Sequence, residues 1–189
     1  MPATPALNNA QVQATSGGIF YMGPVGATAP SDANVAPDAA YLNIGYVADD
    51  GLVYTPNNKS TDTFAMQNGG TLVLTTVSEA TEEYKFSALQ INSTNIGIAF
   101  GVAVTSTATS GSYVTNPNAS AIQRSWIFDV QSGASVERIY VPRAILVKPP
   151  AQTFKTGNAN KLEYTLKAFF DSGINGFSKR WNTALTTSN

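Results

Sequence analysis

Three glutamates, Glu79, Glu82 and Glu83, fall within five residues of sequence, and closely set carboxylates are the raw material of acid and base hydrolysis. That chemistry needs one of the acids buried, so that its raised pKa leaves it a proton donor at neutral pH. The stretch "SEATE", residues 78–82, reads instead as a polar turn between two strands, which leaves the three acids solvated. Asp49 and Asp50 beside Gly51 lack the ligand spacing of a calcium loop and read as a tight turn. The chain of 189 residues has no histidine and no cysteine. The usual neutral-pH general base, the thiolate nucleophile and the common zinc ligands are therefore all missing. No phosphate-binding glycine loop, metal-ligand spacing or serine nucleophile motif is present. The expectation is a protein that is not an enzyme and uses no cofactor and no metal.

Asn58-Lys59-Ser60, Asn92-Ser93-Thr94 and Asn118-Ala119-Ser120 match the glycosylation acceptor pattern. The first 18 residues have neither a basic nor an apolar segment of the secretory kind, so those triplets carry no weight. No apolar run reaches the length of a membrane span. The basic residues are dispersed without an aromatic stacking set, which gives no support to sequence-specific nucleic-acid binding.

The elements that must position these residues are mostly strands. Residues 1–18 read as a loose arm, followed by one domain over 19–189. "GGIFYMGP", Gly17–Pro24, is a short apolar run between turn residues and predicts the first strand, and residues 41–47 predict the second. Residues 56–70, "PNNKSTDTFAMQNGG", read as a long loop with an apolar Phe64 and Met66 inside it, and long loops of this kind are usually functional. Residues 71–77 and 83–90 predict a hairpin around "SEATE", with Leu72 and Leu74 sharing one face and Tyr84, Phe86 and Ala88 a buried one. Asn92 and Gly101 bracket a short helix as N-cap and C-terminal glycine. Strand patterns return over 102–109, 121–130, 136–148 and 161–170, with Pro142 marking an edge or a bulge. The fold class is mainly β, an antiparallel sandwich or barrel of about eight strands with one short helix.

Only 12% of residues are charged, about half the usual share. Such a surface suits a protein largely covered by neighbours, because charge is depleted at interface cores. Between residues 49 and 83 six acids face one base; between 124 and 180 nine bases face four acids. Two readings follow, pairing within the chain or head-to-tail association of copies. A monomeric carbohydrate-binding or adhesive β-sandwich is the alternative function, with Tyr113, Trp126 or Trp181 as platform, although Trp126 alternates with Ile122 and Phe128 as a core residue does.

The order of pieces is familiar: "IFYMGPVG", then "DAAYLNIGYVADDGLVYTP", "FAMQNGGTLVLTT", "YKFSALQ", a helix ending "IAFG", and a late "RIYVPRAILV". Over residues 17–170 it resembles the major tail tube proteins of long-tailed bacteriophages, particularly those infecting actinobacteria. The most specific parts are the "IGY" and "DG" steps within 44–51, Gln67-Asn68-Gly69, and "VPRA" at 141–144. The resemblance implies a virion protein made in the bacterial cytoplasm, assembling as hexameric rings stacked into a tube that conducts double-stranded DNA without reading its sequence. It also implies a tape-measure partner and tail initiator and terminator proteins. On that footing Tyr54, Lys59, Asp62, Phe64 and Met66 are expected to contact the adjacent subunit or ring. Leu72, Leu74, Glu79, Glu82, Glu83, Lys85 and Phe86 are expected on a hairpin that helps to line the tube wall. No immunoglobulin-like domain follows Asn189, so decoration of the tube surface is not expected.

Overall fold

The computed structural model describes residues 13–64, 72–116, 122–152, 154, 156–157 and 159–185. The chain runs β1 (Gly17–Pro24), β2 (Leu42–Asn43), β3 (Val53–Phe64), β4 (Leu72–Ala88), α1 (Ser93–Phe100), β5 (Thr105–Ser106), β6 (Gly111–Ser112), β7 (Arg124–Ser132), β8 (Ser135–Leu146), β9 (Leu162–Ala168) and β10 (Lys179–Asn182). Eight strands form one antiparallel sheet in the order β2-β1-β7-β8-β9-β4-β3, with β10 also on β8. β5 and β6 make a small separate hairpin.

β8 divides the sheet. Its Glu137 to Tyr140 stretch pairs with β10, and its Ala144 to Leu146 stretch pairs with β9. Between them the register against β7 slips, from Trp126 opposite Val141 to Arg124 opposite Ala144. Pro142, which has no N–H to give a ladder, sits in that slip, so the expected bulge is present inside a central strand. The two halves fold over one another, because Phe20 of β1 meets Phe86 of β4 edge-on at 5.2 Å although three strands separate them in the sheet order. The result is an open sandwich and not a closed barrel.

Phe86 is the hub of the core, with ring contacts to Phe20, Trp126, Phe128 and Tyr164. β9 shows the plain logic of a half-buried strand: Leu162, Tyr164, Leu166 and Ala168 are buried and the residues between them are not. β7 breaks that logic because it is covered on both faces. Trp126 and Phe128 enter the main core, while Ile127 packs with Tyr41 and Tyr140 under the segment that joins β1 to β2. That segment is pinned by Arg138, whose Nε and Nη2 each donate to Asp129 at 2.6 Å and whose Nη1 donates to the carbonyls of Asp32 (2.8 Å) and Val35.

The helix matches its predicted limits. The Asn92 side chain accepts from the Asn95 N–H at 2.8 Å, and Gly101 ends the helix at φ 64° with its N–H on the Gly97 carbonyl. The predicted second strand over 41–47 shrinks to β2, and Val47 makes only an isolated bridge with Ala88. The larger correction concerns "SEATE", which does not turn. β4 runs straight through it for 17 residues, and its hairpin partner is β3. Residues 53–64, expected as loop after Pro56, are therefore strand; 65–71 lie outside the described residues. At the other end residues 13–16, assigned to the arm, lie against the body: Gln13 and Asn182 exchange side-chain amide hydrogen bonds, and the Ser16 N–H donates to Gln131.

Candidate assembly surface

β4 pairs with β9 only from Glu82 to Ala88. Outward of Glu82 its only strand partner among the described residues is β3, through eight further pairs from Asn57 opposite Thr81 to Phe64 opposite Leu72. This part of the hairpin is a two-stranded ribbon projecting from the sandwich, roughly 25 Å long at ~3.3 Å per residue. Asn57 to Thr63 are all exposed, as are Leu74, Thr75, Thr76, Glu79 and Ala80. The sequence hides the ribbon because it has no buried face and hence no alternation of apolar and polar residues. Cross-strand hydrogen bonds hold it, including the Thr75 hydroxyl donating to Asp62 at 2.7 Å. Register slips at Lys59/Ser60 and Thr63/Phe64 add local twist.

Such a ribbon is marginal in water by itself, and each unpaired edge is a template for another chain. At its root it is fastened firmly. The Tyr84 and Tyr54 hydroxyls donate to the two oxygens of Glu82, at 2.6 and 3.2 Å. Arg180 of β10 lies over the Tyr54 ring, 4.1 Å from its centroid, and reaches Glu137 of β8 at 3.5 Å. Burial, reinforced by the Glu82 carboxylate, pushes both phenols above their usual range, so they remain protonated donors.

The predicted contact residues thus separate. Lys59 and Asp62 stand on the ribbon, Phe64 is the last residue of β3, and Tyr54 belongs to the root; Met66 lies outside the described residues. Of the residues expected on a wall hairpin, Leu72 opens β4, Leu74 is 55% exposed and Lys85 is exposed. Phe86 is 2% exposed and belongs to the subunit's own core, as the buried face expected for Tyr84, Phe86 and Ala88 requires. The register slip pairs Leu72 and Leu74 with the consecutive residues Phe64 and Thr63. Glu79, Glu82 and Glu83 lie along one strand, with Glu79 opposite Lys59, Glu82 bound to tyrosines and Glu83 opposite Lys167. No group of acids among the described residues could hold a metal ion. Arg180 and Glu137 were not foreseen, since nothing in a single sequence ties Arg180, near the C-terminus, to Tyr54 at the root of a hairpin, 126 residues earlier.

A family model described as phage tail tube protein matches residues 5–176. No curated protein matches the chain. Among solved structures, the chain is similar to one from the cryo-EM structure of the anti-feeding prophage baseplate, six-fold symmetrised. The identity is 10% and the TM-score 0.42, over 94% of this chain and 96% of that one. With most of its length matched by the family, this chain belongs to the phage tail tube proteins and is a structural component of the virion tail.

Proposed function

We propose that the protein polymerises through its ribbon into stacked hexameric rings, and that the resulting tube conducts the genome into the host. The observation that carries this is the ribbon itself: eight residue pairs whose outer edges have no further strand partner among the described residues and whose described side chains are exposed, fastened at the root by Glu82, Tyr54, Tyr84 and Arg180. A free subunit gains little from holding such an element out in water, whereas a neighbour that adds strands to its edges satisfies the backbone and buries Leu74. Family membership supports the same reading. Lys59, Asp62, Phe64 and Met66 are the proposed contacts with the next copy. The tape-measure, initiator and terminator proteins are the proposed tail partners.

The lumenal wall in this reading is the outward face of the β8-β9-β4-β3 half. On it β4 places Glu83 and Lys85, and β9 places Glu163 and Lys167, with Glu83 opposite Lys167. The four charges on β4 and β9 cancel, and Arg143 on β8 adds one positive charge, hydrogen-bonded to Gln123. A wall this close to neutral releases few counterions from DNA, so the genome slides. The carbohydrate-binding alternative has a poor platform: Trp126 is buried, Tyr113, 39% exposed, stacks on Phe100, and Trp181 is half-buried beneath Lys179.

Electron microscopy of the concentrated purified protein, with a column measurement of its mass, tests the proposal. Rings or hollow tubes support it, and Phe64→Asp should then abolish stacking while the subunit still melts cooperatively. A protein that stays monomeric at all concentrations, and is not incorporated into tails when supplied to a phage lacking its own copy, overturns it.

A further inference from the structure

A cavity of about 180 Å³ opens beside the C-terminal end of α1. Phe100, Ile122, Trp126 and Leu146 give it apolar walls, and Arg124 and Lys148 are the ionised residues of its lining. The donors around it lack partners. Trp126 is 1% exposed, and its indole Nε1–H has no acceptor among the described residues, whereas a buried donor is normally satisfied. Arg124 is partly exposed and Lys148 exposed, and neither takes part in an ion pair among the described residues. No acid stands in the lining, so two like charges around one small cavity repel each other with nothing between them.

Walls and donors together specify a ligand. An apolar cavity of ~150 Å³ accepts a benzene-sized group, so this one has room for a single ring. A carboxylate accepts from an indole N–H and makes charge-assisted hydrogen bonds with a guanidinium and an ammonium. An inorganic anion would supply the charge but leave the apolar walls empty, and a neutral ring would fill the walls but leave the cations unpaired. We propose that the cavity beside α1 is a binding site for a small aromatic monocarboxylate, its ring against Phe100, Ile122 and Leu146 and its carboxylate held by Arg124, Lys148 and the Trp126 indole. No residue of the ribbon lines the cavity, so the site is independent of the self-assembly reading.

The test uses benzoate as the probe, with benzyl alcohol and benzylamine as its neutral and cationic counterparts. The chain has two tryptophans, so in the full-length Trp181→Phe protein the fluorescence of Trp126 reports occupancy, in subunits and assemblies alike. Benzoate is expected to change that emission along a saturable curve and to raise the melting temperature with its concentration. The two counterparts should bind at least roughly tenfold more weakly. Adding Arg124→Gln and Lys148→Gln together should leave the melting temperature without ligand unchanged and raise the benzoate Kd roughly tenfold or more. No saturable response, or an equal response to the three probes, overturns the proposal. A benzoate response that survives both glutamine substitutions overturns it too, because binding would then lie elsewhere. If the two cations serve only to offset the carbonyls at the end of α1, the double substitution lowers the melting temperature and benzoate leaves the Trp126 emission unmoved, which also overturns the site.

Discussion

Arg180 lies over the ring of Tyr54, its guanidinium carbon 4.1 Å from the centroid, and so ties β10 to the root of a ribbon whose outer part has, among the described residues, no strand partner beyond its own two strands. The contact is partly desolvated, and the same guanidinium reaches Glu137. Arg180→Ala is expected to cost the isolated subunit about 1 kcal/mol in urea unfolding, in line with a cation–π contact of moderate exposure. Hydrogen exchange should show more, with protection lost along Val53 to Thr55 and retained in β9. Unchanged exchange at the root would mean that the stacking does not hold the ribbon's angle.

The Arg138 clamp is a different kind of contact. Its side chain is 4% exposed and that of Asp129 15%, so removing the cation strands a buried carboxylate and two backbone carbonyls. Arg138→Met is expected to destabilise by about 3–5 kcal/mol. The double variant Arg138→Met, Asp129→Leu should recover part of that loss, since no unpaired charge then remains. A double variant as unstable as the sum of the two single ones would show that the pair acts through the β1–β2 segment and not through its charge.

How much of this could be read beforehand depended on whether burial or pairing holds each element. β1, α1 and β9 were legible because an apolar run, a pair of caps and a strict alternation write themselves into the residues. The ribbon was not, since Asn57 to Thr63 is polar on both faces and looks like a loop until its partner strand is in view. "SEATE" failed for a related reason: its small and acidic residues are common in turns, yet on a wet ribbon no side chain has to be apolar. Arg138 and Asp129 sit on adjacent strands nine residues apart, a spacing that becomes informative only once the turn between β7 and β8 is placed.

Gly45 is a position where the backbone requires glycine. Its φ is +84°, and a Cβ there would fall 1.7 Å from Gln90 Oε1. Gln90 is exposed and its side chain can move, so the dihedral sets the minimum cost. Gly45→Ala should lower stability by about 1–2 kcal/mol. Adding Gln90→Ala should remove the overlaps with Oε1 and Cδ and leave the dihedral cost together with a tight 3.1 Å contact to the remaining Cβ; full recovery in that double variant would mean that those two overlaps alone were responsible.

Alkaline pH should unfold the subunit in a definable window. Tyr41 is pushed up to about 12, first by burial, and burial also raises Tyr84 and Tyr164 above the ordinary phenol value. A folded state that holds its protons more tightly than the unfolded chain has its full stability below about pH 10, the unfolded phenol pKa. Above that it loses stability, because the unfolded tyrosines ionise and the folded ones do not. Melting temperatures should be flat from pH 8 to 9 and fall steeply beyond 10, with phenolate absorbance appearing at the unfolding transition. Early absorbance from a protein that is still folded would show these hydroxyls open to solvent.

The charges proposed for the tube wall give the last prediction. Glu83 and Glu163 alternate with Lys85 and Lys167 on two adjacent strands, so replacing both acids with lysine turns a neutral stripe into one carrying four positive charges per subunit. A ring of such subunits would bind passing phosphates, and that attraction would weaken with the logarithm of salt concentration because counterions are released. Phage carrying Glu83→Lys, Glu163→Lys should build tails of normal length yet eject DNA slowly at low ionic strength, with recovery as salt is raised. Both positions are partly exposed, so the substitutions leave the core untouched, and tail length reports on any folding defect separately. Normal ejection at low salt from normal tails would place this face away from the lumen, and would leave the ribbon as an assembly element whose sheet turns its other surface to the DNA.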